Sequence, residues 1–164
     1  MKHYHLPGQI SLPTSEKIVQ ISAGYDHSAF LTSLFFLCNF LATNSHFFEI
    51  LVSGKVYTFG GGEAGQLGHK NMNDQKSPTL VSSIEELPIT LISCGAFTTL
   101  AYYPGTTQLF PPPLFGTTSK LFIWGKCSST ENVATPTEIK YMADKKILQI
   151  SASTDRVMVL VGII

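Results

Sequence analysis

Charge is scarce in this 164-residue chain: Asp, Glu, Lys and Arg make up 13% of it, about half the usual share. Eleven basic residues are matched by eleven acidic ones, so no electrostatic footprint for nucleic acid or for an anionic membrane surface is present. Cysteine is sparse as well. Cys38, Cys94 and Cys127 are odd in number and show no paired spacing, which argues against a disulfide framework and a zinc site. Reduced, intracellular surroundings, cytoplasmic or nuclear, are the expectation. The start, Met1 to Pro7, lacks the apolar central region of a signal peptide, and no Asn-x-Ser/Thr sequon occurs. No segment of helical length carries a 3.6-residue apolar period.

What the chain does have is apolar content, 44%, and internal repetition. Ile21-Ser22-Ala23-Gly24-Tyr25-Asp26-His27-Ser28-Ala29-Phe30-Leu31 is nearly restated by Ile150-Ser151-Ala152-Ser153-Thr154-Asp155-Arg156-Val157-Met158-Val159-Leu160. A weaker copy, Ile92-Ser93-Cys94-Gly95-Ala96-Phe97-Thr98-Thr99-Leu100-Ala101, lies between them. A unit that cannot bury its own apolar face must stack on neighbours, so repetition of this kind decides the fold before any local motif does. Gly54-Lys55-Val56-Tyr57-Thr58-Phe59-Gly60 reads as a strand opened by a turn and closed by glycine, and it recurs as Lys120-Leu121-Phe122-Ile123-Trp124-Gly125. Short strands punctuated by turn residues have the rhythm of an all-β propeller or sandwich.

Gly54, Val56, Tyr57, Phe59 and Gly60, then Gly65-Gln66-Leu67-Gly68, then Ser77-Pro78, then Cys94-Gly95 with its closing strand, resemble the repeat of the regulator-of-chromosome-condensation family. Trp124-Gly125 begins a further, eroded copy, in which Ser153 replaces the turn glycine and Arg156 the histidine position. The resemblance implies that each repeat forms one blade of a seven-bladed β-propeller, of which about two and a half blades are present. Trp124-Gly125-Lys126-Cys127 also resembles the branch in which a BTB domain follows the propeller.

The organisation that follows is a tail over 1–9, the end of a first repeat over 10–32, an insertion over 33–53, a near-complete repeat over 54–102, a second insertion over 103–119 and a degenerate repeat over 120–161. Gly24 and Gly95 stand 71 residues apart, whereas related propeller blades run roughly 40 to 50. Both insertions, irregular in pattern, are expected at the hairpin between adjacent blades. The first is rich in Phe and Leu but is interrupted at Asn39, Thr43 to His46 and Glu49, so a membrane span is not expected. Leu109 to Phe115 has the composition of a translated polypyrimidine tract, and two readings stand for both segments: retained intron or surface insertion. An open arc of blades leaves unpaired edges, so an incomplete gene model, or association with further copies, is a further expectation.

Chemistry-bearing motifs are few. Gly60-x-Gly62-x-x-Gly65 matches a dinucleotide fingerprint and Glu85 lies where a ribose-binding acid belongs, yet Gln66 to Ser77 contains no amphipathic helix to face a pyrophosphate. Gln66-Leu67 also stands where a phosphate loop needs Lys-Ser/Thr. The glycines are expected to serve a tight inter-strand turn. His27, beside Asp26, has no activated nucleophile with it, and is expected to be hydrogen-bonded within its own blade turn. His3 and His5 lack a third metal ligand. Cys94 reads as a small buried hydrophobe, and Trp124 with its counterpart Phe59 as aromatics packing one blade on the next.

Neither a catalytic residue nor a cofactor or metal ligand is expected. The loops from Glu63 to Asp74, with His69 and Asn71, and from Ser128 to Thr135 are the expected contact surface for a protein partner. The resemblance suggests two kinds, a Ran-like small GTPase whose nucleotide exchange is promoted or a client recruited to a ubiquitin-ligase component. Direct contact with nucleic acid or membrane is not expected.

Overall fold

The computed structural model describes residues 9–13, 15–37, 49–105, 118–126, 131–154 and 156–162, with backbone alone for 34–37 and 49–53. These residues form strands β1 (Lys17–Ala23), β2 (His27–Leu37), β3 (Glu49–Ser53), β4 (Val56–Gly60), β5 (Gln75–Leu80), β6 (Leu91–Cys94), β7 (Thr98–Tyr103), β8 (Lys120–Gly125), β9 (Val133–Glu138), β10 (Ile147–Ala152) and β11 (Val157–Val161). Two single-turn 3-10 helices, Ser82–Ile84 and Lys140–Met142, join successive sheets. The chain is all-β, as its pattern predicts.

Antiparallel pairing gives a first sheet in the order β1-β2-β4-β5, a second in the order β6-β7-β8-β9, and a third pair, β10-β11. Strands β1, β6 and β10 begin their sheets and pack on one another in series. The three Ile-Ser copies are therefore equivalent inner strands of neighbouring wedges, arranged as a partial propeller.

Side-chain to backbone bonds stitch these inner strands together. Gln20 brackets Ile92, its Nε2 donating to the Ile92 carbonyl at 2.8 Å while its Oε1 accepts from the Ile92 amide at 2.9 Å. Ser22 Oγ accepts from the Cys94 amide at 2.8 Å, and one wedge further on Ser93 Oγ accepts from the Ala152 amide at 3.0 Å. The repeated serine thus has a repeated task. Ser93→Ala is expected to cost about 1 kcal/mol, the usual worth of such a bond, measured by urea unfolding.

Strand alternation supplies the core. On β7, Ala101 and Tyr103 face the cluster shared with the first sheet, which contains Leu31, Val56, Ile92 and Trp124. Leu100 and Tyr102 face the opposite way, toward Ile147 and Ile150 of the third pair. Every residue of β7 is buried, because a period of two splits its side chains between two neighbours.

Three expectations need correction. The matched repeat over 54–102 does not build one blade: it supplies β4 and β5 to the first sheet and β6 and β7 to the second. Repeat and sheet are out of phase, so each junction is tied by continuous chain. The two insertions, accordingly, do not separate blades. They fall inside sheets, between paired β2 and β4 and between paired β7 and β8, at middle hairpins whose tips can lengthen without disturbing a wedge junction. The ends of the first insertion are also regular, since β2 runs on to Leu37 and β3 returns beside it with Phe35 opposite Leu51. Most of the second insertion lies outside the described residues.

Candidate functional site

The turns at one end of the wedges, and the long loop joining β4 to β5, gather the polar groups of the molecule. Each inner strand reverses through the same four-residue turn, closed by Gly24 N to His27 O, Gly95 N to Thr98 O and Ser153 N to Arg156 O. Gly24 and Gly95 are dictated by the neighbour: a Cβ on Gly24 would strike the Gly95 carbonyl oxygen, and one on Gly95 the Ser153 carbonyl oxygen.

The loop from Gly61 to Asp74 is more than a turn. Of the three glycines expected to serve the turn, Gly60 and Gly65 have φ of +106° and +77°, a region open to glycine without penalty, as does Gly68 at +78°; Gly62 does not, and a Cβ there would instead strike the Asn73 carbonyl oxygen. Beyond that, the loop crosses to the second wedge. Gln66 O accepts from Thr99 Oγ1 at 2.8 Å, Lys70 N donates to Ala134 O at 2.8 Å, and Gly68 lies against the Trp124 indole. Thr58 Oγ1 holds the loop from below by donating to Leu67 O at 2.7 Å. Gln66 and Leu67 are consequently buried, and no helix follows Gly65, which removes the geometry a dinucleotide site requires.

The other motif residues have structural surroundings too. Gly54 has the Ile89 backbone where a Cβ would stand. Val56 and Tyr57 are buried, Tyr57 stacking on Phe30 with ring centroids 5.0 Å apart. Pro78 is buried in β5. Gly125, with φ +93°, approaches the Phe97 carbonyl as Gly60 approaches that of Asp26. Trp124 is fully buried, but Phe59 is half-buried and lines an open apolar trough with Ile10, Leu12 and Ile21. The two aromatics differ because Trp124 has the 61–74 loop of the wedge before it as a roof.

Of the partner-facing candidates, Glu63, Asn71 and Asp74 are exposed, whereas His69 is half-buried and bonded through Nε2 to Thr58 Oγ1 at 3.0 Å. Burial lowers its pKa. Asp74 Oδ1 accepts from Gly62 N at 2.9 Å. Residues 128–130 of the second candidate loop lie outside the described residues, as do His3, His5, Cys38 and Cys127.

His27 corrects another expectation. Its bond is not within its own turn: Nε2 meets Thr99 Oγ1 of the next wedge at 2.8 Å, while Nδ1 is buried without a partner among the described residues. Burial pushes its pKa down to about 4, partly opposed by the neighbouring Asp26. Cys94 is buried, and its burial pushes the thiol up to about 11, far from the thiolate range of reactive cysteines. In the native protein, the peptide containing Cys94 is expected to stay unalkylated by iodoacetamide at pH 8 and to label on denaturation, read by mass mapping. Among the described residues no group of three or more His, Cys, Asp or Glu is placed to hold a metal ion, and no helix is long and apolar enough to cross a membrane.

Between the first two wedges the same loops enclose an open concavity of about 530 Å³, lined by Asp26, Gly61, Glu63, Ala64, Gln66, Asp74, Phe97, Lys126 and Asn132. Asp26, Phe97, Lys126 and Asn132 come from three separate connections; Asn132 lies in the Ser128 to Thr135 loop expected to contact a partner, whereas sequence reading places none of the other three in a site. The internal repeat aligns the turns holding Asp26 and Phe97, which is the signal that brings them to one end; nothing comparable marks Lys126.

Residues 53–102 match the profile of the Regulator of chromosome condensation (RCC1) repeat. The chain carries an RCC1 repeat. Its likeness to "Probable E3 ubiquitin-protein ligase HERC3" of Homo sapiens is 32% identity over 152 residues, covering 92% of this chain and 12% of that protein. The chain thus spans about an eighth of the length of this relative. Among solved structures, Prp20p from Saccharomyces cerevisiae aligns with a TM-score of 0.63 at 14% identity, over 94% of this chain and 33% of that one. Yeast RCC1 (Prp20) bound to Kap60 aligns with a TM-score of 0.61 at 18% identity, over 95% and 30% respectively. At such identities the agreement is one of fold, and the RCC1-type wedge described above is that fold.

Proposed function

We propose that this chain is a non-catalytic protein-binding portion of an RCC1-type propeller that recruits a client in a ubiquitin-ligase setting. The observation that carries it is the division of polar chemistry: His27 and Cys94 are buried in packing, while exposed Asp26, Glu63, Asp74, Lys126 and Asn132 surround one concavity between wedges. Such a surface offers recognition without a nucleophile and base at bonding distance. The ligase setting rests on relatives described as ubiquitin ligases, HERC3 among them, and this supports it over the BTB setting. The described strands belong to wedges, so ligation chemistry is ascribed to other parts of such a protein.

Guanine-nucleotide exchange on a Ran-like GTPase is the second reading, motivated by the fold shared with Prp20p, whose structure is titled with its binding to Gsp1p and histones. A photo-crosslinking residue encoded at Glu63 separates these outcomes in cells expressing the chain. A discrete protein adduct at Glu63, and none from the same residue at exposed Tyr141 outside the concavity, is expected. Equal labelling at both positions, or none at either, contradicts the scaffold reading; an adduct that is a small GTPase shifts it to exchange.

A further inference from the structure

The wedges stack in one direction, and each inner strand turns alternate side chains to its two sides. Gln20 and Ser22 of β1, and Ser93 of β6, reach forward to the backbone of the next inner strand. Ile92 and Ile150 face back, and each is buried against the wedge before it, at 1% and 8% exposed. Their counterpart on β1 is not. Ile21 is 77% exposed and borders the open apolar trough that also holds Phe59.

The third pair is bare in the matching way. Strand β10 carries Gln149-Ile150-Ser151-Ala152, residue for residue the Gln20-Ile21-Ser22-Ala23 of β1. Ile150 and Ala152 pack back on the second wedge, so Gln149 and Ser151 look forward, beside Leu160 and Met158, which stand opposite them on β11. Gln149 is exposed, as are Met158 at 68% and Leu160 at 55%. By the internal repeat, Leu160 corresponds to Leu31 and Met158 to Ala29, the residues that pack with Ile92 and Trp124 where the first wedge meets the second. The described residues therefore hold both halves of a further junction, unjoined. Contiguous apolar surface of this kind marks a site of association.

We propose that these two faces bind each other between copies of the chain, β10 of one copy lying along β1 of a second as β1 lies along β6. A second copy is the fitting occupant because Gln-Ile-Ser-Ala already makes this junction once, at β1 on β6. In that register Gln149 brackets the backbone of Ile21 of the second copy and Ser151 Oγ accepts from its Ala23 amide, while Met158 and Leu160 cover its Ile21 and Phe59. One residue sets this contact apart from those inside the chain. Ser153 bears a side chain where Gly24 and Gly95 have none, a place taken at both by the carbonyl oxygen of the next turn. The turn end of the contact consequently stands wider, and association is weaker than stacking within the chain. Each copy offers two different faces, so the contact propagates into a ring or an open filament rather than stopping at a two-fold dimer. The concavity takes no part in it, and the inference does not depend on the scaffold reading.

Sedimentation equilibrium of the 164-residue chain over a concentration series tests it. The mean mass is expected to rise past that of two copies. Ile21→Asp spoils one face and Leu160→Asp the other, each at an exposed position, and an unchanged melt verifies that the fold is kept. Either variant alone is expected to stay a single chain. An equimolar mixture is expected to give one-to-one dimers and nothing larger, because the intact β10 face of Ile21→Asp meets the intact β1 face of Leu160→Asp. In Ser153→Gly the turns can close, and association is expected to tighten about tenfold, the scale of relieving one overpacked contact. A wild-type mass of one chain at every concentration overturns the inference. So does continued association of either Asp variant alone, a mixture that stays single, or Ser153→Gly associating no more tightly than wild type.

Discussion

Gly95→Ala is expected to destabilise the chain by about 3 to 5 kcal/mol, at the upper end of what single substitutions do. The reason is steric. The new methyl would enter the Ser153 carbonyl oxygen and stand 3.2 Å from Ala152 Cβ, and that carbonyl lies in the turn held by the Ser153 N to Arg156 O bond directly after β10. Either β6 or β10 must retreat, which takes the Ser93 bond to Ala152 with it and opens the cluster joining Leu100 and Tyr102 to Ile147 and Ile150. Gly24→Ala is expected to act alike one wedge earlier, against the Gly95 carbonyl and the His27 ring. Ser153→Gly is the control: at the corresponding position a side chain is already accommodated, and the change is expected to stay within about 1 kcal/mol, the scale of added backbone freedom. Urea denaturation reads all three. In Gly95→Ala, hydrogen exchange is also expected to show early loss of protection over Val157–Val161, because that strand reaches the rest of the protein through β10.

Acid is expected to weaken the native state through His27. Its imidazole has a pKa of about 4 when folded against 6.5 ordinarily, so the unfolded chain takes up the proton first. The stability due to keeping it neutral is complete above about pH 6.5, is lost as pH falls, and stops changing below about pH 4. Integrated, the loss reaches about 2.5 kcal/mol at pH 4.5 and about 3 kcal/mol at the acid limit. His27→Gln preserves a donor for Thr99 and removes the titration. Its stability profile is expected to lie below the wild-type curve at pH 7, by about 1 to 2 kcal/mol for disturbed packing, and to cross it between about pH 6 and pH 5. Parallel curves would assign the acid sensitivity elsewhere.

How much of this was readable in advance can be told residue by residue. The three Ile-Ser copies were legible as equivalent units because their serines and glycines answer to the neighbouring wedge, and a demand met twice leaves its mark twice. Short strands and turn glycines were legible for the same local reasons that produce them. The phase of the sheets was not. Val56 to Gly60 reads identically whether it opens a blade or continues one, and only its pairing with β2 decides. That phase error carried the insertions to the wrong junction. Nor could the partner of His27 be seen, since Thr99 lies 72 residues away and meets it only across a docked interface. Gly65-Gln66-Leu67-Gly68 was recognised as a motif, but its task, reaching over Trp124 and Thr99 of the next wedge, depends on contacts that no local pattern records. The concavity was half legible: Glu63 and Asp74 belong to a visibly polar loop, whereas Asp26, Phe97 and Lys126 join them only through the stacking of wedges.

That stacking is the central physical claim, and cysteine cross-linking tests it most directly. Ser22 Oγ sits at the Cys94 amide and bonds the thiol as well, so S22C, with Cys38 and Cys127 changed to serine, sets two thiols side by side on inner strands of different wedges. Mild oxidation of the folded variant is expected to join residues 22 and 94 within one chain, identified by mass mapping under non-reducing conditions. A folded variant in which Cys94 stays reduced, or joins only between chains, would mean that β1 and β6 are not neighbours, and the wedges do not stack as described.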